Sequence, residues 1–124
     1  MKVEHLTEAR SRGGLVRFFE FSPAEFEALV DAFSTLANGH ALTPIRLAPS
    51  QHVTPVGFAA LELGTASTDR GIEIGDTIRW FLTADSWSDV VDRAGALDPR
   101  SPSEFQWLDE TGATTVLLSL TGRW

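Results

Sequence analysis

The chain has 124 residues, a formal net charge of −7 and no cysteine. That suits one domain and excludes disulfide frameworks, thiolate nucleophiles, zinc–thiolate sites and iron–sulfur clusters built from this chain alone. Leu, Ile, Val and Phe supply 34 residues, above the level typical of intrinsic disorder.

By size scaling such a chain keeps about 6,500 Å² exposed when folded, which leaves enough surface to bury for one core. The longest runs of aliphatic or aromatic residues are three, as in Trp80-Phe81-Leu82, against the roughly 20 a membrane helix needs. The start, Met1 to Glu8, is polar and lacks the apolar stretch of a signal peptide. A cytoplasmic location fits. Charge is uneven: residues 1–17 carry four basic and two acidic groups, and residues 18–124 carry six basic and fifteen acidic. Phosphate backbones and anionic membranes favour the opposite sign, so neither is expected as a partner. A basic protein is electrostatically compatible.

Residues 1–14 read as an arm or a first strand, with Ser11-Arg12-Gly13-Gly14 as its turn. Residues 15–21 read as a strand. Leu15, Phe19 and Phe21 share one face with Arg17, and Val16 and Phe18 share the other, which predicts an interior strand. Ser22-Pro23-Ala24-Glu25 combines a helix cap, a proline suited to the first turn and a capping-box glutamate. Phe26, Leu29, Val30, Phe33, Leu36 and Ala37 follow at helical spacing, and Asn38-Gly39 closes the pattern. A helix over 23–37 is predicted.

Pro44, Pro49 and Pro55 make residues 40–56 an edge or irregular segment, with a short strand at 43–48. Residues 57–63 read as a strand and 64–70 as a loop. Strong alternation from Ile72 to Leu82 predicts a half-buried strand, interrupted at Gly75-Asp76 by a bulge or a tight turn. Asp85-Ser86 opens a second helix with Trp87, Val90, Val91, Ala94 and Leu97 on one stripe, and Asp98 to Pro102 ends it. Residues 104–124 read as a terminal hairpin that turns at Asp109-Glu110-Thr111-Gly112. The expected fold class is α+β: a single globular domain over 15–124, with a mainly antiparallel sheet of about five strands and two helices packed on it.

The chemistry-bearing motifs are sparse. There is no phosphate-binding glycine loop and no nucleophile elbow. The single lysine, Lys2, sits near the start. Of the three histidines, His5, His40 and His52, none has another three or four residues away, so no helical metal pair exists. No cofactor, metal or catalytic residue is indicated. His52, among prolines in a loop, is the best placed for a general base. With Glu62, Arg79 and Trp80 it forms the set that a pocket between helix and sheet would use.

Two acidic stripes stand out. Glu27 and Asp31 are spaced i, i+4 on the first helix. Asp85, Asp89 and Asp92 follow at four and three on the second. Like charges at that spacing cost a few tenths of a kcal/mol each, so they either mark a solvated face or keep a negative field for a partner. Trp80, Trp87 and Trp107 fall at inward positions, where each buried indole N–H needs an acceptor. Trp124 either packs back on the sheet or belongs to an interface.

Three function classes follow. The first is a non-enzymatic acidic protein-binding domain, of inhibitor or immunity type, for a basic partner. The second is a small-molecule-binding or small enzyme domain with a pocket between helix and sheet. The third is a homodimeric assembly module that pairs through a free strand edge of the terminal hairpin.

Overall fold

The structure is a computed structural model, and it describes residues 1–6, 14–39, 43–97, 105–109 and 114–119. Nine strands and two helices follow in the order β1 (Lys2–Leu6), β2 (Leu15–Phe19), α1 (Pro23–Ala37), β3 (Ile45–Ala48), β4 (Thr54–Val56), β5 (Ala60–Thr65), β6 (Gly71–Glu73), β7 (Thr77–Leu82), α2 (Ala84–Gly95), β8 (Phe105–Asp109) and β9 (Thr115–Ser119). The class is α+β. The expectation of one mainly antiparallel five-stranded sheet is corrected to two mixed sheets, ordered β4-β1-β2-β9-β8 and β3-β5-β7-β6.

Three pairings are parallel: β1 with β4, β2 with β9, and β5 with β7. Each joins strands distant in sequence or separated by an intervening strand, so turn signals between neighbours do not reveal it. Gly75-Asp76 belongs to a tight turn, because β6 and β7 pair antiparallel on either side of it. The expected turns at 11–13 and 110–112, the segment 98–102, His40 and Trp124 lie outside the described residues.

Local chemistry sets the helices. The Ser22 hydroxyl accepts the Glu25 N–H at 3.2 Å, and the Glu25 carboxylate accepts the Ser22 N–H at 2.9 Å. This reciprocal pair satisfies two donors that helix geometry otherwise orphans. Glu25 also pairs with the amino group of Met1. That contact and the Ser22 N–H hold its carboxyl below the ordinary value. On α2 the cap is Thr83, whose hydroxyl accepts the Ser86 N–H. Asp69, from the loop after β5, adds a second clamp. It accepts the Thr83 N–H and the Ser86 hydroxyl, each at 2.8 Å.

One apolar core links both sheets and both helices, from Met1 through Leu118. Its centre is aromatic: Phe33, Trp80 and Trp87 meet with ring centroids 4.7–5.7 Å apart. Each buried indole finds an acceptor, Trp80 at Asp109 and Trp87 at the Gly64 carbonyl. The folded chain exposes 6644 Å², close to the size-scaling value. Leu15, Phe19 and Leu117 are buried but lie outside that core, as expected for an interior strand with two apolar faces. Beyond them, Trp107 is half-buried and Phe105 is 45% exposed.

Candidate functional site

Helices α1 and α2 run antiparallel. Phe26 and Val30, early in α1, share a hollow with Gly95 at the end of α2. Ser34, Ala37 and Asn38, late in α1, share another with Ser88, Val91 and Asp92. The two hollows, about 380 and 190 Å³, lie one beyond the other along the crease between the helices.

Glu27 and Asp31 line the first hollow and Asp92 lines the second. All three are exposed, and among the described residues no basic one lines either hollow. Glu27 and Asp31 therefore stand beside the apolar Phe26 and Val30, while Asp92 stands among Ser34, Asn38, Ser88 and Val91. Of the five carboxylates singled out in the sequence, the structure brings these three to one crease. Asp85 stays exposed in the first turn of α2. Asp89 lines a different cleft, on the side of α2 that faces β8.

That second cleft holds about 210 Å³. Leu82, Val90 and Leu108 give it an apolar floor, and Ser86, Asp89, Arg93 and Asp109 give it polar walls. Asp109 is 3% exposed and accepts the Trp80 indole N–H at 2.7 Å. The sequence pattern missed it, because Asp109 reads as a turn residue of the terminal hairpin. The one available signal was the indole of an inward Trp80, which had to find an acceptor somewhere.

The set His52, Glu62, Arg79 and Trp80 does not converge. Glu62 and Arg79 are cross-strand neighbours on the outer face of the second sheet. There the Glu62 carboxylate sits between Arg46 and Arg79, at 3.5 and 3.4 Å. Trp80 follows Arg79 directly and points to the opposite face, fully buried. His52 is exposed in the connection between β3 and β4. His5 packs beside Gly14, and its Nε2 is buried without a hydrogen-bond partner among the described residues. Among the described residues no group of three or more His, Asp or Glu could hold a metal ion. No described helix is long and apolar enough to cross a membrane.

Strand edges bear on the assembly reading. β8 is an edge of the first sheet, with a register shift between Trp107 and Asp109. The other outer strands are three or four residues long. β4 contains Pro55, and β3 carries a register shift. Short, bulged or proline-bearing edges are poor templates for strand addition. Comparison with protein-family models, curated proteins and solved structures finds no match for this chain.

Proposed function

We propose that the chain is a non-enzymatic protein-binding domain whose helix-pair crease receives a basic partner, in the manner of an inhibitor or immunity-type protein. One observation carries this reading. Glu27, Asp31 and Asp92, drawn from two helices, line the two hollows between α1 and α2, and among the described residues no basic side chain lines either. The occupant is a partner segment that places an apolar side chain between Phe26 and Val30, with Lys or Arg beside it. Apolar anchors inside a charged rim are the usual anatomy of a protein interface. The negative field speeds encounter and rejects acidic competitors. Glu27 and Asp31 repel each other at i, i+4 with no base on α1 to offset them, and a cationic partner relieves that repulsion. A cytoplasmic setting fits a chain without cysteine.

The test compares the full chain with the triple variant Glu27→Gln, Asp31→Asn, Asp92→Asn. Each is used to capture proteins at low salt, and each captured protein is then purified and its binding kinetics measured. The reading requires a basic protein that the triple variant loses, with an association rate that falls steeply as salt is added. Capture of acidic proteins only, of none, or of the same proteins by both chains sinks it.

A further inference from the structure

The helices pack on the inner face of the second sheet, where Trp80 meets Phe33 and Trp87. Its outer face carries a row of four charges in register, one from each strand. In the strand order β3-β5-β7-β6 the row reads Arg46, Glu62, Arg79, Glu73. Both arginines and Glu73 are exposed. Glu62 contacts both arginines, whereas Glu73 makes no ion pair among the described residues. The signs alternate and sum to zero, on a chain whose net charge is −7. Two residues further along β7, on the same face, the half-buried Phe81 lies between Gly64 and Gly71. Its ring leans over Gly64, into the space a side chain there would take.

We propose that this face binds a second copy of the chain, as a twofold-symmetric dimer. A row that reads plus, minus, plus, minus is complementary to itself. Turned about a twofold axis parallel to the strands, between β5 and β7, it sets every charge against its opposite. Arg46 then meets Glu73 of the second copy, Glu62 meets Arg79 of the second copy, and each contact occurs twice. An alternating row of three would face like with like. The same rotation places Phe81 of each copy opposite Gly64 of the other. Each ring already leans over its own Gly64, so the two rings meet near the axis as an apolar centre. Sheets stacked face to face in this way lie about 10 Å apart, within reach of Arg and Glu side chains. The four strands make a face about 15–20 Å wide, well short of the roughly 800 Å² per partner in a standard interface. The dimer is therefore a weak one.

The experiment is sedimentation velocity of the full chain from about 10 μM to about 1 mM, a range that spans weak association. The parent should pass from monomer to dimer. Arg46→Glu sets a carboxylate against Glu73 of the second copy, and Glu73→Arg sets a guanidinium against Arg46. Either should weaken the dimer at least about tenfold. Within one copy these two positions are three strand spacings apart, about 14 Å, beyond the screening length of about 8–10 Å. A merely solvated row therefore gives them no reason to compensate each other. Mixed in equal amounts, the two variants should form a mixed dimer, because every contact across the axis is attractive again. The double variant, which keeps the parent's net charge, should recover its own dimer. The triple crease variant should dimerise as the parent does, which separates this proposal from the protein-binding one. The proposal fails if the parent stays monomeric throughout, or if either single variant dimerises as well as the parent. It also fails if mixing or the double change brings no recovery.

Discussion

At the scale of single residues, two contacts carry more than their size. The bond from Trp80 to Asp109 joins the aromatic centre to an edge strand across 29 positions of sequence. Asp109→Ala strands a buried indole N–H, and such a group costs about 1–3 kcal/mol. Urea unfolding should show a loss of that order. The second contact is Gly64, where a methyl group would lie 2.5 Å from the Phe81 ring. Gly64→Ala should therefore destabilise by about 1–3 kcal/mol through overpacking, and the added change Phe81→Leu should recover part of it. The inward placement of Trp80 was legible from alternation alone. Asp109 was not, because no local pattern links it to Trp80. Gly64 was misread as the start of a loop, since a glycine beside Thr and Ser looks like punctuation. Here its missing side chain makes room for a neighbouring ring, and the strand runs on to Thr65.

At the scale of elements, α1 was almost wholly readable, because everything that starts and stops it lies within a few residues. The start of α2 was less so. Thr83 is local, but Asp69 reaches it from another loop. The hydrogen bonds from Thr83 and Ser86 hold the Asp69 carboxyl below its ordinary value of 3.8. A carboxyl depressed on folding adds stability at neutral pH, and that contribution fades as pH falls through its folded value. Asp69→Asn should thus lower stability at pH 7, by less than about 1 kcal/mol because the group is solvent-screened. It should also flatten the decline below about pH 5 seen in acid titration of the melting temperature. At the other end of α2, a methyl group on Gly95 would meet nothing within 4 Å. Gly95→Ala should stabilise the helix by about 0.5–1 kcal/mol, measurable by thermal melting, while narrowing the hollow beside Phe26 and weakening partner capture.

At the scale of the whole molecule, charge is the dominant property. A net charge of −7 on 124 residues opposes compaction through self-repulsion. Added sodium chloride should raise the melting temperature by screening it, and the triple crease variant should show a smaller rise. The α+β class and both helices were foreshadowed by periodicity and turn chemistry, whereas about five strands were expected and the described residues form nine. The three-residue β4 was hidden by Pro55, which a sheet accepts only at its margin. The division into two sheets was not legible, because it depends on parallel pairings that no adjacent turn announces.

One of those pairings bears on how the molecule is made. Leu15 lies opposite Thr115, so β2 gains its second neighbour only when β9 arrives. During synthesis the early strands must wait, one margin bare, while everything between Phe19 and Thr115 leaves the ribosome. Folding that hinges on so distant a partner is slow, and the nascent chain spends that interval open to the wrong neighbours.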